Sequence, residues 1–138
     1  MVDPTNRVFS NVKAYVRERY PEVNFQDTVT ATTPTLPAVS VNLIDSRETA
    51  LDLSLGDPSE DYAVNVTFEI QCYSNKSNSE ARKIINAACD AMRGMTFARI
   101  FGATKVDLPN DPNTFRYIAR FQRIVGSLDE LPKYNGGN

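Results

Sequence analysis

Residues 62–73, YAVNVTFEIQCY, alternate apolar and polar side chains almost without a fault. The apolar set is Val64, Val66, Phe68, Ile70 and Cys72, and the polar set is Asn65, Thr67, Glu69, Gln71 and Tyr73. Because successive side chains of a strand point to opposite faces, this stretch predicts a long strand with one buried and one wetted face. The strand runs into SNKSNSE, where Ser77 and Glu80 have the spacing of a capping box and predict the start of a helix.

Length and composition indicate one domain with an apolar core. The chain has 138 residues, 41% of them hydrophobic, and a net charge of −2, so it has no overall basic field for nucleic acid or anionic lipid. No apolar run approaches the roughly 18 residues that a membrane helix needs, and the N-terminal MVDPTNRVF lacks the apolar stretch of a signal peptide. We therefore expect a protein made in the cytoplasm, with no membrane partner.

The chain contains Cys72, Cys89 and no histidine. Two isolated cysteines in apolar patterns predict buried free thiols, with a disulfide or a metal pair as the alternative. Without histidine or C-x-x-C spacing, zinc has no adequate ligand set, and Ser–His–Asp triads and Cys–His dyads are excluded. Ser46 and Ser79 have no neighbouring base, and no glycine-rich phosphate loop occurs. We therefore predict that the protein is not an enzyme and holds no cofactor or metal.

The other elements follow from periodicity and turn residues. Helical stripes predict one helix between Pro4 and Pro21 and a second that ends near Gly94. Strand patterns occur at 38–45 and 114–126, and weaker ones at 23–31 and 104–108. Together they predict an α+β fold, in which a single mainly antiparallel sheet has two helices packed on one face.

A polar segment separates the predicted strands in the middle of the chain. Residues 46–61, SRETALDLSLGDPSED, contain the alternating Leu51, Leu53 and Leu55, followed by the turn signal Gly56-Asp57-Pro58. The segment is predicted to protrude as a hairpin or loop arm whose leucines are buried against a neighbouring subunit. Its acids lack the spacing of a calcium loop, so a solvated loop or a subunit contact is favoured. The whole chain, 1–138, is then one domain with loose ends at 1–4 and 127–138.

Arginines and aromatic residues are mixed in the last predicted strand. Such a mixture can stack on bases and bind phosphates, but here the alternation places Tyr117 and Phe121 on the buried face. Arg116 and Arg120 point the other way, and Arg123 falls on the aromatic side at the strand end. Arg116 and Arg120 are therefore candidates for a subunit interface or a solvated face rather than for base recognition.

The order of these elements and their amino-acid sequences resemble those of the tail terminator (tail completion) proteins of long-tailed bacteriophages. The resemblance covers about residues 5–126 and rests on architecture rather than on a short motif. The segments that carry it are VFSNVKAYVRERYP, PAVSVNLID, YAVNVTFEIQCYSN running directly into EARKIINAACDAM, and TFRYIARFQ.

This resemblance implies a virion structural protein that forms a ring, commonly a homohexamer, at the head-proximal end of the tail. The ring would end tail-tube growth and provide the docking surface for the head connector. Its partners would be copies of itself, the tail-tube protein and the head connector protein, and DNA would pass through it without sequence-specific binding. No catalytic residues belong to the family. Ring contacts need two different patches, which the leucine arm and the half-wetted strands could supply.

Two alternatives remain open. The chain could be another head–tail joining or tail-tube component of the same particle. It could also be a small α+β enzyme or ligand-binding module, which would require a concave pocket with at least two polar groups.

Overall fold

The computed structural model describes residues 3–26, 36–48, 63–107, 113–126 and 131. The elements in these residues are helix α1 (Thr5–Arg19), strands β1 (Asn24–Gln26), β2 (Ala38–Glu48) and β3 (Val64–Ser74), helix α2 (Asn78–Gly94), and strands β4 (Ala98–Val106) and β5 (Phe115–Val125). The five strands form one sheet in the order β1-β2-β3-β5-β4. β1 is parallel to β2, and the other neighbouring pairs are antiparallel. Both helices pack on one face of the sheet, which confirms the predicted α+β fold.

The strand that decides the fold, β3, lies at the centre of the sheet. Its apolar set is completely buried, with no member more than 1% exposed. Phe68 lies opposite Leu43 of β2 and Phe121 of β5, and its ring makes an edge-on contact with Phe97 at 5.7 Å between centroids. Each fully buried Val, Ile or Phe side chain contributes about 1.5–3 kcal/mol relative to exposure, so this face dominates the stability of the domain.

The helices complete this core from one side. In α1, three valines at helical spacing are buried in it, and in α2 a longer stripe of apolar residues is buried. They are Val8, Val12, Val16, Ala81, Ile84, Ile85, Ala88 and Met92. Arg17 and Arg82 lie on the exposed sides of their helices, as expected for amphipathic helices on a sheet.

Side-chain hydrogen bonds stabilise the junction between β3 and α2. Ser77 Oγ accepts a hydrogen bond from the Glu80 backbone N–H at 3.0 Å, as the capping box predicts. In a capping box the glutamate side chain also reaches back to the cap residue, but the Glu80 carboxylate accepts a hydrogen bond from Ser74 Oγ at 2.8 Å instead. Ser74 is the last residue of β3 and is fully buried, so a buried hydroxyl there needs a partner and takes the nearest carboxylate.

The structure describes residues in three of the segments that were predicted as an arm or as loose ends. β2 continues to Glu48, so residues 46–48 of the predicted arm pair with β3 as part of the sheet. The rest of the predicted arm lies outside the described residues. In the predicted loose tail, Leu131 is 1% exposed and belongs to the core. At the other end, Pro4 is buried and its carbonyl accepts the Val8 N–H at 2.9 Å.

The two edges of the sheet differ. The edge strand β1 has three residues, whereas the edge strand β4 has nine and begins six residues before the predicted strand at 104–108. β4 contains two shifts of register against β5, on either side of Phe101, where extra residues bulge out of the ladder. A similar bulge at Ile44 interrupts β2. No helix within the described ranges is long and apolar enough to cross a membrane.

Candidate interaction surface

The face of the sheet opposite the helices is called the outer face here, and it carries the polar side chains of β3. Its central cross-strand pairs are Tyr73 with Arg116, Gln71 with Ile118, and Glu69 with Arg120. The strand alternation therefore places the two predicted interface arginines on one face, each opposite a polar β3 residue.

These side chains form a hydrogen-bonded network, called the polar ladder, which consists of Tyr73, Gln71, Glu69, Arg116 and Arg120. Tyr73 Oη donates to Gln71 Oε1 at 2.6 Å, and Arg116 donates to the same oxygen through Nε at 3.2 Å and Nη2 at 3.0 Å. Gln71 Nε2 donates to Glu69 Oε1 at 2.6 Å. Arg120 Nε donates to Glu69 Oε2 at 2.9 Å, which also makes an ion pair. Gln71 thus links one arginine to the other through the glutamate.

The polar ladder makes the outer face less wetted than its sequence predicts. Gln71 is 5% exposed and Thr67 is 7% exposed. Burial of an amide costs free energy unless its donors and acceptors are used, and both ends of Gln71 are used here. The prediction of a wetted face is therefore wrong at Thr67 and Gln71, which are buried, and at Gln71 the side chains of Glu69 and Arg116 take the place of water.

Aromatic rings flank the two arginines. The Arg116 guanidinium lies 5.8 Å from the centre of the Tyr73 ring, and the Arg120 guanidinium lies 5.3 Å from that of Phe101 on β4. At such distances a cation is attracted to the face of a ring, which adds about 0.5–1 kcal/mol at an exposed site. The arginines are thus held in place from the side as well as by the polar ladder.

Large apolar side chains are also exposed. They are Ile44, Ile100, Phe101 and Ile124, with exposed fractions of 41–58%. Single exposed apolar residues are common on protein surfaces, but Ile100 and Phe101 are adjacent on the β4 edge strand. An open strand edge with adjacent apolar side chains is a favourable place for a partner chain.

The structure describes two of the five residues that were predicted at a subunit interface. Arg116 and Arg120 lie on the outer face as predicted, and the structure brings them into one network. Leu51, Leu53 and Leu55 lie outside the described residues, so their burial against a subunit stays a prediction. Sequence reasoning missed Gln71 as the centre of the ladder. The signal in the sequence is the alternation Glu69–Gln71–Tyr73, but its meaning depends on the register with β5.

The two cysteines are free and buried, as predicted. Cys72 Sγ donates a hydrogen bond to the Ala81 carbonyl at 3.5 Å. Burial in the core raises the pKa of both thiols above the usual range, so both stay protonated at neutral pH and are poor nucleophiles. Within the part of the chain that the structure describes, no group of three or more Cys, Asp and Glu side chains is placed to hold a metal ion.

A comparison of the chain with models of known protein families finds no match. A comparison with curated proteins finds none either. The fold and surface define a class, namely a two-layer α+β domain whose sheet has one helix-covered face and one face ordered by polar side chains.

Proposed function

We propose that this protein is a bacteriophage tail terminator. In this role it is a virion structural subunit that forms a homohexameric ring at the head-proximal end of the tail. The proposal is supported by the element order, since the segments that resemble this family are α1, β2, β3 running directly into α2, and β5. The single observation that carries it is the outer face, a whole sheet face that neither helix covers and that presents ordered arginine and aromatic side chains.

The composition of this face suits contact between proteins. Tyr, Phe and Arg are enriched in protein interfaces relative to the rest of the surface. Ordering a long arginine side chain on binding costs about 0.5–1.5 kcal/mol, and the polar ladder already holds Arg116 and Arg120 before any partner arrives. Each guanidinium has five N–H donors, of which the ladder uses two on Arg116 and one on Arg120.

Termination follows from a difference between two surfaces of the subunit. A closed ring needs two different patches on each copy, so that each copy contacts its neighbours head to tail. One further surface binds the last layer of the tail tube, and the opposite surface lacks the features that a tube subunit requires. Tube growth then stops because the new end no longer matches a tube subunit, and the head connector binds there instead.

The proposal is tested first with purified protein. Negative-stain images at increasing concentration should show rings for the natural sequence. They should show none for the double variant Arg116→Ala/Arg120→Ala, which removes both arginines of the outer face. The matched control is Arg82→Ala/Arg93→Ala, which removes two exposed arginines of α2 on the opposite layer and should leave the rings intact. Circular dichroism of both variants checks that the fold is kept.

The second test separates the roles within a particle. A phage that lacks this gene should accumulate heads without tails together with overlong tails. Tails of normal length that fail to join heads would assign the protein to another head–tail joining step. A compact monomer at all concentrations, together with a phage that assembles normally, would contradict a virion role.

A further inference from the structure

The edge of the sheet formed by β4 is exposed along its length. Of its nine residues none is fully buried, and Ile100 is 53% exposed and Phe101 41% exposed. One side of β4 pairs with β5, and the other side has no neighbouring strand among the residues that the structure describes. Backbone groups at such an edge can pair with an added strand, and the alternate side chains of that strand then pack against those of the edge.

This edge is also strongly basic. β4 carries Arg99 and Lys105, and its neighbour β5 carries Arg116, Arg120 and Arg123, while neither strand contains an acidic residue. An incoming strand with acidic side chains would therefore be attracted to it, and one with basic side chains repelled.

One segment of the chain has the complementary pattern. Residues 49–62 contain four acidic and no basic residues, namely Asp52, Asp57, Glu60 and Asp61. Within it, Leu51, Leu53 and Leu55 alternate with Asp52 and Ser54, which is the pattern of a strand with one apolar side. The apolar side fits Ile100 and Phe101, and the acids fit Arg99 and Lys105.

Chain length decides which copy can use the edge. A strand added beyond β4 would be four strand spacings from β2, or about 19 Å at roughly 4.8 Å per spacing. Leu51 is three residues from Glu48, the end of β2, and can reach at most about 11 Å from it. Leu53 reaches at most about 18 Å even when fully extended. The leucine run therefore cannot lie along the β4 edge of its own sheet.

We infer that residues 51–55 of one copy dock as a short strand on the β4 edge of a second copy. The leucine side chains pack on Ile100 and Phe101, and the acids of residues 49–62 face the basic β4–β5 pair. This makes the contact heterologous, since the segment and the edge are different patches of the same chain. The inference rests on the proposed function only for the presence of a second copy.

Cross-linking between differently tagged copies tests the contact directly. One copy carries Leu53→Cys, and the other carries Thr104→Cys on the exposed β4 strand. The two are mixed and treated with a short bismaleimide. Cys72 and Cys89 are buried and protonated, so they should not compete in the folded protein. The control partner is Ile44→Cys, which is exposed on β2 at a distance from β4 in the sheet order.

We expect a covalent heterodimer with Thr104→Cys at several times the yield found with Ile44→Cys. Equal yields with the two partners overturn the inference, as does the absence of any heterodimer at concentrations where the protein self-associates or up to the solubility limit. A single chain that carries both Leu53→Cys and Thr104→Cys, cross-linked at high dilution, should give no internal product. An internal product at a yield equal to that of the heterodimer also overturns the inference, since it means that Leu53 lies as close to its own edge as to that of a second copy.

A second measurement uses the affinity of self-association. Phe101→Asp places an acid on the edge and should weaken self-association by at least about tenfold in analytical ultracentrifugation, the loss expected for a residue at the centre of a contact. Ile44→Asp, which is similarly exposed, should change it by less than about twofold. Equal effects of the two substitutions would overturn the assignment of the edge.

These results separate the inference from the proposed function. Rings that form without the Leu53–Thr104 cross-link leave the terminator proposal standing and remove the docking contact. The cross-link together with normal tails in a phage that lacks the gene leaves the docking contact standing and removes the terminator proposal.

Discussion

The two faces of β3 are stabilised by different kinds of interaction. The inner face has five apolar residues, all at most 1% exposed, packed under two helices. The outer face has a tyrosine, a glutamine and a glutamate that hydrogen-bond one another and two arginines of the next strand. On the inner face, folding is favoured because apolar area is removed from water. On the outer face, hydrogen bonds between side chains mainly replace those that the same polar groups make with water in the unfolded chain.

The comparison shows which face a partner can use. The inner face is saturated, because its contacts are made within the chain and no surface is left over. The outer face is ordered but not covered by a helix, and Arg120 keeps nearly half of its side-chain surface exposed, at 46%. A surface of this kind can accept a partner with little rearrangement, since its side chains are already fixed. The following predictions test this contrast, beginning with the largest effect.

The largest loss of stability is expected when a side chain at the centre of the inner face is truncated. Phe68→Ala removes the ring that packs on Phe97 and lies opposite Phe121, and it should lower the free energy of unfolding by about 3–5 kcal/mol. The adjacent outer-face change Thr67→Ala should cost about 1 kcal/mol or less. Urea denaturation of the two variants measures both values. Similar losses for the two would mean that the faces do not differ in this way.

Substitutions in the polar ladder should lower the free energy of unfolding by less than Phe68→Ala does, and their effects should not be additive. Gln71→Ala removes the acceptor of Tyr73 Oη and Arg116 and the donor to Glu69 Oε1, while Glu69 Oε2 keeps Arg120, and it should cost about 1–3 kcal/mol. The double variant with Glu69→Ala should deviate from additivity by about 0.5 kcal/mol or more, because the two residues share one network. Gln122→Ala, on the same face but outside the ladder, is the control and should change stability by about 0.5 kcal/mol or less. Strict additivity would show that the ladder is a set of separate pairs.

The attachment of α2 to the sheet should depend on its cap. Ser77→Ala removes the acceptor for the Glu80 N–H and should cost about 1 kcal/mol in thermal or chemical unfolding. Ser79→Ala, an exposed serine in the first turn of the same helix, should cost about 0.5 kcal/mol or less. A cap that makes no difference would mean that packing alone fixes the start of α2.

The smallest effect is expected at the start of α1. Hydrogen bonds from the side chain and the backbone of Thr5 hold the pKa of Asp3 below its usual value. Because the pKa in the folded state is the lower one, the stabilisation is present above the unfolded pKa and is lost as the pH falls through the folded pKa. Asp3→Ala should therefore cost at most a few tenths of a kcal/mol at neutral pH, since the group is exposed, and nothing at strongly acid pH. A cost that does not change with pH would assign the effect to something other than the carboxylate charge.

The central strand and the helices could be predicted from the sequence because their signals are local. The alternation in β3 is a period-two pattern that needs no partner to be recognised, and the Ser77–Glu80 spacing marks a helix start by itself. The start of β4 was missed for a related reason. Its two bulges shift the alternation at residues 98–103, so the period-two pattern is lost although the strand continues.

The polar ladder could not be predicted, because it depends on a pairing between residues far apart in the chain. Arg116 and Gln71 are separated by 45 positions, and only the register of β5 on β3 brings them together. The sequence shows polar residues on one face of β3, but it does not show whether water or another side chain satisfies them. The strand alternation did predict that Arg116 and Arg120 share a face, since that follows from their spacing alone.

The bulges of β4 have a consequence for how copies of this protein could polymerise. A long flat edge strand can pair with the same strand of another molecule and extend without limit, as in fibres. The register of β4 shifts twice within nine residues, so the edge offers only short straight stretches and a second β4 cannot align along all of it. Growth by pairing of one β4 edge with another is thereby disfavoured.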